Sequence, residues 1–184
     1  MKMMVREITI TVLLALLIFM GIRAVVHNFE VNGNSMLPNL QNGQFIIVSK
    51  AAYWFDEPQR GDIVVFDTSR LSYGIIHRIV GLPGETIEIR KGNLYINGTK
   101  TDEPYIQKNS RSESLEKIPD GHYFIVGDNR QTSSADIVPG EDIVGKAWLR
   151  YWPVGDWGLA PNYSWESEIA DDGVELVLGA SALP

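Results

Sequence analysis

Thr86-Ile87-Glu88-Ile89-Arg90-Lys91-Gly92-Asn93-Leu94-Tyr95-Ile96-Asn97-Gly98 holds two short apolar segments, Ile87–Ile89 and Leu94–Ile96, around Lys91-Gly92-Asn93. Two strand-like runs joined by a glycine-bearing turn predict a β-hairpin. The same grammar extends in both directions. Phe29–Val31, Gln44–Ser49, Asp62–Phe66, Ile75–Val80, Thr86–Arg90, Asn93–Ile96, Tyr123–Val126 and Ile143–Tyr151 are rich in Val, Ile, Phe and Tyr, residues that suit a pleated, half-buried surface. Asn42-Gly43, Arg60-Gly61-Asp62, Leu82-Pro83-Gly84, Asn97-Gly98 and Pro119-Asp120-Gly121 supply turns between them. The expectation is a mainly β domain, a barrel or sandwich. Gln107–Lys117 is polar and predicts a mobile loop.

The N-terminus follows a different rule. Ile8–Ile22 is an uncharged apolar run; Arg23 interrupts it and Ala24-Val25-Val26 continue it. A bilayer span needs about 20 residues, so Ile8–Val26 spans if Arg23 snorkels to the interface. Lys2 and Arg6 precede the run and favour a cytoplasmic N-terminus. A cleaved signal peptide and a buried core helix are the alternatives. Ala24-Val25-Val26-His27 is a poor small-x-small cleavage site. The expected organisation is an anchor over residues 1–27, a β-rich catalytic domain over 28–161 and a tail over 162–184. An anchored domain of this kind lies on the extracytoplasmic side of the cell membrane.

Composition narrows the chemistry. The 184 residues carry a net charge of −7, and no dense basic stripe appears, which argues against a nucleic-acid partner. Arg60, Arg70, Arg78, Arg90 and Lys91 are scattered and predict ordinary surface positions. Without cysteine there is no disulfide framework, thiol nucleophile or thiolate metal site. His27, His77 and His122 show no ligand spacing, so no metal and no cofactor are expected. Gly81-Leu82-Pro83-Gly84 is no phosphate cradle, because proline removes a donor.

Three segments can carry a reaction. Ser35 stands in Val31-Asn32-Gly33-Asn34-Ser35-Met36-Leu37-Pro38. Gly33 permits an unusual backbone conformation and Pro38 stiffens the exit. Such a turn can aim a backbone N–H at a developing oxyanion, although a serine in a Gly/Asn/Pro loop is also an ordinary turn residue. His77 is a polar residue within an apolar strand. Its unperturbed pKa of about 6.5 suits a general base, although such a histidine can equally be a satisfied core group. Gly121–Asp136 runs from a strand into a loop crowded with hydrogen-bonding side chains, among them Asp128, Asn129, Arg130 and Ser133. It is a site loop or one that bonds to itself.

In order along the chain, these segments resemble those of the type I signal peptidases, membrane-bound serine proteases. The resemblance is carried by Val31-x-Gly33-x-Ser35-Met36-x-Pro38, Gly61–Phe66, Arg78–Glu85, Gly127-Asp128-Asn129-Arg130 with Ser133, and Ile143-x-Gly145-Lys146-Ala147. It implies a β fold with an apolar face toward the membrane. It also implies a Ser35 nucleophile with an unprotonated base, and oxyanion stabilisation by the Ser35 backbone N–H. The loop residues Gly33, Asp128, Asn129 and Arg130 would support the site. The implied partners are the bilayer and the signal peptides of exported preproteins, cut after small residues in A-x-A sites by a monomer.

Two departures stand out. The bacterial family carries lysine immediately before the Arg78 position; here that residue is His77, as in the archaeal and endoplasmic-reticulum enzymes. The usual Ser-x-Asp-Ser-Arg reads Ser133-Ser134-Ala135-Asp136-Ile137. Ser133 and Asp136 are both candidates to orient the base. A catalytically impaired signal-peptide-binding pseudoenzyme and a dedicated maturation peptidase of the same clan are the alternative readings. In the tail, Val174–Leu178 followed by Ala180-Ser181-Ala182 faintly resembles a cleavage site, or is an unstructured end.

Overall fold

A computed structural model describes residues 2–68, 74–106 and 112–164. It opens with α1 (Lys2–Val25), a 24-residue helix. At 1.5 Å per residue α1 is about 36 Å long, against a hydrocarbon core of about 30 Å. None of its apolar window is buried, so it is not a core helix. The chain passes without a linker into β1 (Val26–Glu30), whose Val26 already faces Ser49. The folded body therefore begins two residues before the expected boundary.

The body is mainly β. After β1 come β2 (Phe45–Ser49), β3 (Ile63–Phe66), β4 (Ile75–Gly81), β5 (Thr86–Arg90), β6 (Asn93–Ile96) and β7 (Thr99–Thr101). Then follow β8 (Glu113–Lys117), β9 (His122–Val126), β10 (Ala135–Pro139), β11 (Ile143–Trp152) and β12 (Gly158–Leu159). The large sheet runs β1-β2-β11-β3-β4-β9-β10, with β12 on β11; the small one runs β7-β6-β5-β8. Arg90 faces Asn93 and Ile96 faces Thr99, leaving two-residue turns at Lys91-Gly92 and Asn97-Gly98. All four turn residues have positive φ, as the tight hairpin turn that matches strand twist requires.

Three expectations change. Glu113–Lys117 is not loop but β8, paired with β5; its polar composition suits an edge strand. The remainder of that stretch, residues 107–111, lies outside the described residues, as do 165–184. Asp136 sits not in the loop but on β10, the edge strand beside β9. The ordered body continues past residue 161. Asn162 accepts the Ile63 N–H at 2.7 Å through Oδ1 and donates to the Ala147 carbonyl at 3.0 Å.

The two sheets join through Val80, Phe124 and Val126 of the large one and Ile87, Ile89 and Leu94 of the small one, with Ile118. A side chain at Gly81 would reach within 2.6 Å of Ile118 Cδ1, so glycine lets the sheets close. Each fully buried aliphatic side chain here contributes about 1.5–3 kcal/mol of transfer energy. A second cluster gathers Val31, Met36 and Leu40 with Ile46, Val48, Ile63, Val65 and Ile76. It anchors the Ser35 loop to the sheet that carries His77.

Candidate active site

The Ser35 loop, between β1 and β2, is held from both sides. Val31 donates its N–H to the Gln44 carbonyl and accepts from Gly43, each at 2.8 Å. Gly33 adopts φ +97°, a left-handed conformation that L side chains disfavour, and donates to Asn42 Oδ1 at 2.7 Å. Buried Met36 and Leu40 pin the segment after the serine. Ser35 itself is half-buried. Its carbonyl accepts the Asn129 N–H at 2.8 Å, and the Asn34 carbonyl accepts Asn129 Nδ2 at 3.0 Å.

The loop after β9 thus grips the serine by its backbone. A Cβ on Gly127 would stand 2.4 Å from the Ser35 carbonyl oxygen and 2.7 Å from Ser133 Cβ. Neither distance is tolerable, so glycine is required where the Ser35 loop meets the loop after β9. Ser133, buried, donates its hydroxyl to the Gly127 carbonyl at 3.2 Å.

His77 lies on β4 opposite Val64. It is 3% exposed, and its ring lies 6.0 Å from that of Phe66. Among the described residues, His77 Nδ1 is the one buried side-chain nitrogen or oxygen without a hydrogen-bond partner. Burial lowers its pKa from 6.5 to about 4. Asp136 and Asp128 oppose that shift by favouring the cation, and Arg130 reinforces it. The imidazole is therefore neutral across the neutral range, with a lone pair in a desolvated position. This revises the expectation of an ordinary histidine titrating near 6.5, because strand burial outweighs both neighbouring carboxylates.

Asp136 faces Ile125 across the β9–β10 pair, and Ile125 faces Ile79 across β4–β9. Side chains directly opposite share a face, so Asp136 shares the His77 face of the sheet. It accepts from Ser134 Oγ at 3.2 Å. Neither Ser133 nor Asp136 bonds His77 Nδ1, and neither does Ser35. Hydrogen bonds of a catalytic set are commonly long in the absence of substrate and tighten in the complex.

Arg78 is not at the surface, as expected from its scatter, but fully buried. Its guanidinium bonds both carboxylate oxygens of Asp128, each at 2.8 Å, and also the Gly61 and Pro161 carbonyls. Asn39 Nδ2 donates a third hydrogen bond to the Asp128 carboxylate at 2.8 Å. Arg130 is buried as well. It pairs with both oxygens of Glu103 and donates Nε to the Gly127 carbonyl at 3.1 Å. Between the two ion pairs lies Tyr105, its ring 4.2 Å from the Arg78 guanidinium and its hydroxyl on Glu103 at 2.7 Å. Sequence reasoning missed Glu103 and Tyr105. Their one sequence signal was Asp102-Glu103-Pro104-Tyr105, an acidic and aromatic pair fixed by proline after β7.

The arrangement holds a serine in a defined turn, seated on the backbone of the loop after β9, and a neutral desolvated imidazole on β4 of the same large sheet. The Ser35 N–H donates to no acceptor among the described residues, which leaves it available to an oxyanion. Comparison with known proteins gives the family. The family described as signal peptidase, peptidase S26, matches residues 3–152. Signal peptidase I of Leptolyngbya laminosa is 36% identical over 170 residues, covering 83% of this chain and 84% of its own. Signal peptidase I T of Bacillus subtilis is 36% identical over 169 residues, covering 82% and 85%. A crystal structure of a signal peptidase I from Enterococcus faecalis is 34% identical with a TM-score of 0.44, covering 50% of this chain and 97% of that one. The chain belongs to the signal peptidase family, peptidase S26, and is a serine endopeptidase of the signal peptidase I type.

Proposed function

We propose that the chain removes N-terminal signal peptides from exported preproteins, cutting after small residues, with Ser35 as nucleophile and His77 as general base. The Ser35 hydroxyl attacks the scissile carbonyl while His77 takes its proton. The carbonyl oxygen becomes an oxyanion that the Ser35 N–H stabilises. Collapse of the tetrahedral species breaks the peptide bond, and the imidazolium returns the proton to the departing amine. Water then attacks the Ser35 ester, losing its proton to His77; the ester bond breaks, the imidazolium returns that proton to the Ser35 oxygen, and the signal-peptide carboxylate leaves. The residue two positions before the nucleophile is Gly33, so no side-chain hydroxyl from there assists the oxyanion.

The observation that carries this reading is the buried, partnerless Nδ1 of His77. Leaving a buried polar atom unbonded costs about 1–3 kcal/mol, and such exceptions concentrate at functional sites. The substrate meets this site as an extended strand, the mode in which main-chain bonds supply affinity and pockets supply specificity.

The α1 helix holds the enzyme in the cell membrane as a single span, Lys2 and Arg6 on the cytoplasmic side and the β body on the other. Trp54, Trp148, Trp152 and Trp157 are all exposed, and Phe55 is 93% exposed. Aromatic rings of this kind favour the headgroup level of a bilayer, which supports an apolar face against the membrane. The enzyme acts as a monomer on signal peptides, without cofactor.

The test uses a serine-reactive acylating probe and a preprotein whose signal peptide ends in an A-x-A site, both in lipid vesicles. Wild type takes the label and processes the preprotein; Ser35→Ala and His77→Ala do neither. A wild type that stays unlabelled and inert is a signal-peptide-binding pseudoenzyme, and refutes the reading. Cleavage of one precursor among many points to a dedicated maturation peptidase.

A further inference from the structure

The Ser35 loop touches a wall made by Gly127 and Ser133, and that wall is held from behind. The Gly127 carbonyl accepts two donors, Ser133 Oγ at 3.2 Å and Arg130 Nε at 3.1 Å. Arg130 is 2% exposed, and Glu103, 5% exposed, binds its guanidinium through both carboxylate oxygens. A bidentate pair fixes the plane of the guanidinium as well as its position, and Nε–H lies in that plane. The direction of the bond onto the Gly127 carbonyl therefore depends on Glu103. Glu103 comes from the connection after β7, an element of the small sheet, so that sheet reaches across to the cradle around the nucleophile.

We propose that Glu103 is a positioning residue of the active site: by orienting Arg130 it sets the Gly127 carbonyl, and with it the Gly127–Ser133 wall against which the Ser35 backbone is seated. The inference rests on the Ser35–His77 reading above. The tolerance is small, because Gly127 has no room for even a Cβ beside the Ser35 carbonyl, and sub-ångström displacements of a nucleophile cost rate. The wall moves the nucleophile's backbone, not the substrate's binding strand, so its loss appears in kcat and not in KM.

The experiment compares full-length wild type, Glu103→Gln, Arg130→Lys, their double variant and Tyr105→Phe in detergent micelles, each well below its melting temperature. Glu103→Gln keeps a hydrogen-bond acceptor and removes the charge. Arg130→Lys keeps the charge and removes the fork. Both singles are expected to lose at least tenfold in kcat with KM within twofold, and the double to lose no more than the worse single. Tyr105→Phe removes the hydroxyl bond to Glu103 but leaves the Arg130–Gly127 contact, and is expected to lower the melting temperature with kcat within twofold. Wild-type kcat in Glu103→Gln and Arg130→Lys overturns the inference. So does a Tyr105→Phe loss as large as theirs, since the loss then follows stability. If Glu103→Gln does not fold, Arg130→Lys against Tyr105→Phe decides. A fully active His77→Ala, run alongside, overturns the Ser35–His77 reading without touching the Glu103 comparison.

Discussion

The proposal that buried His77 is the general base makes a quantitative statement about pH. With its pKa at about 4, His77 is about 90% unprotonated at pH 5; an ordinary imidazole at about 6.5 would be about 3% unprotonated there. The two cases differ by about thirtyfold in free base at pH 5. The assay is kcat/KM for a peptide spanning a signal-peptide cleavage site, measured from pH 4 to 9 in neutral detergent, because its acid limb reports the free enzyme's base. The expected profile is flat through neutrality and falls only toward pH 4. His77→Lys places at the same buried position a group whose unperturbed pKa is about 10.4. The same desolvation lowers it toward about 8, so the limb moves into the neutral-to-alkaline range. A wild-type midpoint near 6.5 would falsify the claim that burial dominates the environment of this imidazole. An acid limb that does not move in His77→Lys refutes His77 as the base altogether.

Stability carries the same signature with a definite sign. The folded pKa of His77 lies below the unfolded value, so the unfolded chain gains the proton first as pH falls. Its contribution is intact above about 6.5 and is lost progressively down to about 4. At about 1.4 kcal/mol per pH unit the loss is about 3 kcal/mol, measurable as a steeper decline of denaturant midpoints in wild type than in His77→Gln. Asp128→Ala leaves the Arg78 guanidinium buried and unpaired, which costs about 3–5 kcal/mol and lowers the melting temperature sharply. Glu88→Ala, whose partner Arg90 lies in solvent, leaves it unchanged. Gly127→Ala forces a methyl against the Ser35 carbonyl, and labelling of Ser35 by an acylating probe is expected to slow at least tenfold. Unchanged labelling would show that the cradle is looser than its 2.4 Å clearance.

Local rules made much of this protein legible before folding. Positive-φ turns are a property of single dipeptides, so Lys91-Gly92 announced a hairpin and Asn97-Gly98 a turn. Apolar runs placed β2 to β6, β9 and β11 nearly to the residue, and an uncharged helix-length run marked α1. The spacing of Ser35, His77 and the Gly127–Ser133 loop carried the family. Three-dimensional neighbours decided the rest. Arg78 reads as surface because arginine usually is; it is buried because Asp128, fifty residues away, supplies the countercharge. Glu103 and Tyr105 met Arg130 and Arg78 only when the connection after β7 packed against the loop after β9. β8 and the start of β10 read as loop because an edge strand pairs on one side only and needs no apolar run, so their partners β5 and β9 decided them. His77 followed the same division. Which atom type stands at position 77 is a fact of sequence, but its proton affinity depends on the water that β3, β4 and β9 exclude, and no linear pattern records that.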